Sequence, residues 1–282
     1  MTETKSFLSK MFGPSEPEEG TVRFPWNRIV FGPYFILMNH FREFFFTAAL
    51  FALLMTVIYL VGGQSMFCGL GLFEQKLFCS NSVFLYIGTR LVVLLIAAAF
   101  CVRYFQAVWL KRSLSWKFLL NPQKKDFVSF MAFVTFILLN AISGLSWYLL
   151  AVRVPNPDWR IELTYFAVVA LGFLVPFILL RFYSIFALIW SGEKIYSLGK
   201  MWIKTRGNAL RLIFSTTLWF FLFVFSLSAV SVNFNVAAQN NSIYIIFIGE
   251  YVFNFVVLIL MSLFVNFCGL QNFFLTEGNV NE

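Results

Sequence analysis

Six long runs of apolar residues, separated by shorter polar stretches, form the dominant pattern of this chain. They cover residues 44–61, 83–101, 127–152, 164–180, 212–230 and 243–264. A helix needs about 20 mostly apolar residues to cross a hydrocarbon core about 30 Å thick, and each run approaches or exceeds that length. The runs are continuous and do not alternate apolar with polar residues, so they predict helices and not barrel strands. We therefore predict an all-α polytopic membrane protein with six transmembrane helices.

The polar segments around these runs predict the remaining organisation. Residues 1–29 are rich in proline and acidic residues, which predicts a flexible tail and argues against a cleavable signal peptide before the first run. Residues 30–43 are partly apolar and predict an interfacial segment that leads into the first helix. The full assignment is a tail at 1–29, a membrane domain at 30–272 with basic loops at 103–126 and 191–211, and a polar tail at 273–282.

Composition excludes several classes of protein. Of the 282 residues, 60% are hydrophobic, 39 are phenylalanine and only 12% are charged, about half the usual share of charge in a soluble domain. A soluble globule of this size could not bury so much apolar surface. A soluble enzyme, a disordered chain and a nucleic-acid-binding domain are excluded, although the net charge is +8.

The basic residues predict the orientation in the membrane. Five lie before the first run, six between the second and third, and five between the fourth and fifth, whereas the opposite side holds three: Lys76, Arg153 and Arg160. Loops rich in Lys and Arg stay in the cytoplasm. We therefore expect both termini to be cytoplasmic and the positive charge to face a lipid bilayer with anionic headgroups.

Two cysteines bracket the first external loop of this predicted topology. Cys68 and Cys79 lie on the oxidising side, which predicts a disulfide; alternatively, both pack as small apolar residues at a helix entrance. The chain has one histidine, His40, and no paired Cys-x-x-Cys, so we expect no metal site. No sequence pattern predicts a cofactor.

The loop at 191–211 has the pattern of an amphipathic interfacial helix. At 100° per residue, Lys200 and Lys204 share a face, and Leu198 and Trp202 lie on the opposite one. Such a helix would lie on the cytoplasmic surface with its lysines towards anionic headgroups; the alternative is a solvated loop. The expected interfacial anchors are Lys200 and Lys204, together with Arg103 and Arg181 at the ends of the second and fourth runs.

The same loop carries a motif. Trp202, Thr205, Arg206, Gly207, Asn208, Arg211 and Leu212 resemble the W-x-x-T-R-G-N-x-x-R-L signature of a family of bacterial six-helix inner-membrane proteins, common in alphaproteobacteria. That family is distantly similar to the membrane domain of some glycerophosphodiester phosphodiesterases. The resemblance implies six spans and a multi-pass protein of the bacterial inner membrane. It implies no activity, because the family has none established.

The chain lacks the spacings that catalysis needs. It contains no H-E-x-x-H, no G-x-S-x-G and no phosphate-binding glycine pattern, so we predict that it is not an enzyme. The first hypothesis for its function is non-enzymatic support of the envelope by scaffolding, lipid handling or binding of a membrane protein, including a second copy of itself. The second hypothesis is a small transporter or permease with a polar path.

Two charges inside predicted spans point to that polar path. Arg90 and Glu250 each lie seven residues after the start of an apolar run, about 10 Å below the external boundary at 1.5 Å per residue. Charges are costly in hydrocarbon, and opposite charges at matched depth neutralise each other. We predict an intramembrane ion pair; the alternative is that each side chain reaches the outer headgroups separately.

Overall fold

The computed structural model describes Phe24 and residues 26–62, 83–153, 178–193, 198–205, 207–208, 210–215, 218 and 243–277. Within these ranges the chain is helical and contains no strand, which confirms the predicted all-α class. The helices are α1 (Trp26–Asn39), α2 (Phe41–Val61), α3 (Val83–Val108), α4 (Trp116–Leu120), α5 (Lys124–Arg153), α6 (Ser184–Ser191), α7 (Leu198–Lys204) and α8 (Ile243–Glu277).

Three helices of the described chain are long and apolar enough to cross a membrane. These segments are Phe41–Val61, Phe84–Val108 and Ile246–Leu275, and they correspond to the first, second and sixth predicted runs. The third run falls within α5, whose bounds differ from the prediction by three residues at the start and one at the end. Most of the fourth and fifth runs lies outside the described residues. The chain therefore has the helices of a membrane protein, and the number six stays a prediction.

The last helix is longer than its apolar run. With 35 residues, α8 is about 52 Å long, well beyond a hydrocarbon core of about 30 Å. The sequence-based end at Phe264 was too early, because Val265, Phe267 and Leu275 are fully buried beyond it. Packing of this second half, and not hydropathy alone, extends the helix to Glu277.

Aromatic side chains fill the centre of the bundle. α2, α3 and α8 pack against one another, α5 packs on α3, and α6 contacts all of α3, α5 and α8. Phe44 lies edge-on to Tyr104 and Phe255, with ring centroids 6.1 Å and 5.6 Å apart. Phe186 makes a similar contact with Phe264 at 5.4 Å. Edge-to-face and offset contacts of this kind add to the area that each ring buries, so these phenylalanines serve as core residues.

A glycine on α8 brings α3 close. A Cβ atom at Gly269 would lie 2.3 Å from Cε2 of Trp109, a distance that a real side chain cannot occupy. Gly269 therefore lets the indole of Trp109, just past the end of α3, lie directly on the α8 backbone.

The N-terminal helix packs along the second half of α8. The sequence predicted an interfacial segment here, and α1 buries Ile29, Val30, Pro33 and Leu37. Its other face leaves Phe35 and Met38 about 70% exposed. Large exposed apolar side chains also cover α2, α3 and α5, including Phe84 at 90%. Such a surface is unfavourable in water and is suited to a lipid surround.

Candidate functional site

A row of polar residues on α8 faces the interior of the bundle. Glu250, Asn254, Ser262 and Asn266 follow one another at intervals of four or eight residues, and each is at most 1% exposed. Asn254 donates from Nδ2 to the Thr56 hydroxyl of α2 at 3.0 Å. Polar groups within a span are costly towards lipid, so this row orients α8.

Asn266 joins three helices at the other end of the row. Its Nδ2 atom donates to the Pro33 carbonyl of α1 and to the Tyr104 hydroxyl of α3, both at 3.1 Å. Pro33 has no N–H for the Ile29 carbonyl one turn earlier, and the Ser215 hydroxyl donates to that carbonyl instead, at 3.1 Å. Asn266 therefore connects α8 to α1 next to this gap in the helical hydrogen bonds of α1. This residue has a structural role that hydropathy gave no reason to expect.

One of the two intramembrane charges, Arg90, bonds to a third residue, Tyr59 of α2. Arg90 donates from Nη1 to the Tyr59 hydroxyl at 3.1 Å, and its guanidinium lies 5.1 Å from the Tyr59 ring and 5.2 Å from the Tyr86 ring. Glu250 lies one turn before Asn254 on α8, and Thr56, which accepts from Asn254, lies three residues before Tyr59 on α2. Glu250 is 1% exposed, whereas Arg90 is exposed. We call Thr56, Tyr59, Arg90, Glu250 and Asn254 the intramembrane polar cluster.

Sequence reasoning missed Tyr59, although a signal was present. Tyr59 lies two residues before the end of α2, and Arg90 lies seven residues into α3, so the two are close to the same end of an antiparallel pair. The predicted ion pair between Arg90 and Glu250 stays a prediction. Asn254 Oδ1 is buried without a hydrogen-bond partner among the described residues, so this cluster retains an unused acceptor.

Arg103 differs from its expected role as a headgroup anchor. Its side chain is 1% exposed and forms a bidentate ion pair with Asp126, with Nη1–Oδ1 at 2.7 Å and Nη2–Oδ2 at 2.8 Å. Arg103 Nε also donates to the Phe118 carbonyl at 2.9 Å, and Nη2 donates to the Asn121 carbonyl. We call these residues the Arg103 cluster. It connects the end of α3 to the start of α5 through the loop between them.

Arg181 also lies within the protein rather than at the surface. It is 7% exposed and stacks on the Trp202 ring, with Cζ 3.7 Å from the ring centroid. Its Nε atom donates to the Thr205 hydroxyl at 3.0 Å, and Nη2 donates to the Trp202 carbonyl at 2.8 Å. Two residues of the motif therefore bind the arginine at the end of the fourth run.

The second half of the motif binds the N-terminal segment. The Phe24 amide donates to Asn208 Oδ1 at 2.8 Å, and Arg211 donates from Nη1 to the Phe24 carbonyl. Gly207 has φ +80, a left-handed conformation that favours glycine, and it turns the chain between α7 and the helical residues 210–215. We call Phe24, Arg181, Trp202, Thr205, Asn208 and Arg211 the motif cluster.

Several predicted site residues cannot be placed. Cys68 and Cys79, Arg206, and the side chains of Lys200 and Lys204 lie outside the described residues. The other two cysteines, Cys101 and Cys268, are buried free thiols. Among the described residues, no group of three His, Cys, Asp or Glu side chains could hold a metal ion.

The hydrogen bonds and ion pairs described above mainly stabilise the structure. Arg103 and Arg181 use their donors on loop carbonyls and on neighbouring side chains, and the motif residues do the same. The intramembrane polar cluster combines a buried carboxylate, a guanidinium and an acceptor that has no hydrogen-bond partner among the described residues. Comparisons with protein-family models, with curated proteins and with solved structures found no match for this chain.

Proposed function

We propose that this chain is a non-enzymatic, multi-pass scaffold of the bacterial inner membrane, with six spans and both termini in the cytoplasm. It supports the envelope by presenting a fixed surface to anionic lipids and to a membrane protein partner or a second copy of itself. The observation that carries the proposal is the way in which buried arginines fix the loops at one end of the bundle.

The Arg103 and motif clusters make that end of the bundle a defined surface. A buried bidentate ion pair has a large desolvation cost and is retained only with good geometry and further hydrogen bonds. Arg103 has both, since two loop carbonyls use its remaining donors. Arg181 and Asn208 attach α7 and Phe24 in the same manner. A scaffold needs such a constant surface, whereas a reaction centre would need polar groups left available for substrate.

Orientation and envelope support are tested separately. Reporter fusions after Glu282 and within residues 120–125 should give the cytoplasmic signal, and fusions near Glu74 and Asp158 the external one. A cytoplasmic signal at Glu74 would contradict the proposed topology. For function, a strain lacking the gene should become permeable to a hydrophobic dye, and the wild-type chain should restore the barrier.

The intramembrane polar cluster supports transport as the alternative function. Ionisable residues within spans often mark the path of an ion or proton, and Glu250 is the buried carboxylate of this cluster. Glu250→Gln keeps the shape and removes the charge. A scaffold carrying this substitution should restore the barrier as the wild type does. If the folded variant fails to restore it, transport is favoured and the scaffold proposal is wrong.

A further inference from the structure

A groove lies where α2 begins and the loop after α3 leaves the bundle. It encloses about 810 Å³. Four of its lining residues carry basic side chains: His40, Arg42, Lys111 and Arg112. We call it the Arg42 groove. The two arginines and the lysine come from segments about 70 residues apart in the sequence, so the fold itself brings the positive charge together.

The positive charge of this groove is not neutralised within the described chain. Glu43 lines the groove as well, but its carboxylate lies 3.8 Å from Nδ1 of His40. No described carboxylate lies within 4.0 Å of the basic nitrogens of Arg42, Lys111 or Arg112. Two arginines and one lysine therefore face the groove against one carboxylate.

The backbone after α3 holds Lys111 and Arg112 in place. Lys111 has φ +50, a left-handed conformation that is unfavourable for a non-glycine residue. The Arg112 amide donates to the Gln106 carbonyl at 3.1 Å, which closes the turn. Unfavourable backbone conformations of this kind persist where the surrounding structure imposes them, and they concentrate at binding sites.

A further basic residue, Lys125, adds to the positive electrostatic potential around Arg112. The pKa of Lys125 is lowered, first by desolvation and then by the charge of Arg112. Lys125 donates to the Trp190 and Ser191 carbonyls at the end of α6, so its ammonium is held in position there. Repulsion between the two cations would be relieved by an anion bound at Arg112.

Apart from Ser113, the rest of the groove is apolar. Phe41, Phe45 and Phe46 line it from the first turns of α2 and are 36–52% exposed. Phe41 and Phe45 contact each other with centroids 5.9 Å apart, and Phe46 contacts Trp116 of α4 at 5.0 Å. Cationic donors therefore adjoin an exposed aromatic surface at the start of a helix that is able to span a membrane.

We propose that the Arg42 groove binds the phosphate of an anionic phospholipid, with Arg42 and Arg112 on the phosphate and the phenylalanines on the acyl chains. Guanidinium groups form paired hydrogen bonds with phosphate oxygens, which favours arginine at such sites. A free phosphate would use the basic residues alone. The aromatic surface beside them argues for a lipid. This inference rests on the proposed function in one respect: the proposed topology places the start of α2 at the cytoplasmic leaflet.

Native mass spectrometry of the purified full chain tests the site, with phosphatidylglycerol and phosphatidylcholine offered together. The wild type should retain phosphatidylglycerol in preference. Arg42→Gln and Arg112→Gln should each weaken that binding about five-fold, since one basic charge near an anionic surface contributes about 1 kcal/mol. Lys117→Gln is the matched control, because Lys117 is an exposed residue of the same loop region that does not line the groove. Wild-type binding in both arginine variants would overturn the proposal.

Two further measurements use the unmodified protein. Phosphatidylglycerol with a photoreactive headgroup should crosslink to peptides that contain residues 40–46 or 111–114, and crosslinks confined to other peptides would contradict the site. Glycerol phosphate and inorganic phosphate, titrated alone, should bind far more weakly than the lipid. Equal affinity would overturn the proposal that the groove binds a lipid and would indicate a site for free phosphate. None of these results depends on the envelope assay, so the two proposals fail independently.

Discussion

At the scale of single residues, the buried arginines Arg103 and Arg181 stabilise the protein by bonding to its own backbone and side chains. Arginines at the ends of apolar runs were expected to reach headgroups, because composition indicates only that they lie near a boundary. The structure adds partners that are distant in sequence: Asp126 for Arg103, and Thr205 for Arg181. Asp126 is the residue directly before the third run, where its sequence context is simply that of a basic loop.

Removing Arg103 should be strongly destabilising. Arg103→Leu leaves Asp126 buried without its cation and leaves two loop carbonyls without a donor, so we expect a loss of about 3–5 kcal/mol in the free energy of unfolding. Arg103→Leu combined with Asp126→Leu should recover part of that loss. Denaturant unfolding in detergent measures both, with Lys117→Leu as an exposed control. Purely additive losses would contradict a coupled pair.

The intramembrane charges allow a similar test. Arg90→Leu and Glu250→Leu should each destabilise the protein by up to about 3 kcal/mol, and the double substitution should recover much of the loss. Tyr59→Phe removes the hydroxyl that accepts from Arg90 and should cost about 1 kcal/mol. Thermal unfolding in lipid nanodiscs measures all four. Independent losses at the two charged positions would show that they do not act on each other.

At the scale of elements, hydropathy predicted the bounds of some helices closely and did less well where a helix continues beyond its apolar run. The bounds of α2 and α5 lie within three residues of their apolar runs. The end of α8 was predicted 13 residues too early, because it is fixed by contacts with α1 and not by bilayer thickness. α1 shows the same limit, since a partly apolar segment does not reveal which helix it packs against.

The motif was recognised from sequence, but its role was not. Asn208→Ala should remove the bond to the Phe24 amide and cost about 1–2 kcal/mol locally. Hydrogen exchange should then become faster in the peptide that contains Phe24 and α1, with no change in α5. Asn27→Ala, at an exposed position of α1, is the control. Unchanged exchange near Phe24 would show that the motif cluster does not hold the N-terminal segment.

At the scale of the whole molecule, α8 sets the arrangement of the bundle. It contacts α1, α2, α3 and α6, and its buried polar residues bond to α1, α2 and the Leu180 carbonyl. The sequence showed six comparable runs, and their length and hydropathy did not indicate that the last one is central among the described helices. The row of polar residues on α8 was the signal, and its meaning depends on which helices surround it.

Because α8 is continuous, it fixes the angle about its axis between the residues at its two ends. Glu250 and Gln271 are 21 residues apart, about 32 Å along one axis, with no break between them. Deleting two residues between Phe255 and Met261 would rotate one end against the other by about 200°, whereas deleting four would rotate it by only about 40°. The shorter deletion should therefore be the more damaging one, as measured by the yield of folded protein. If the yield of folded protein instead falls with the number of residues removed, the length of α8 matters more than the rotation between its two ends.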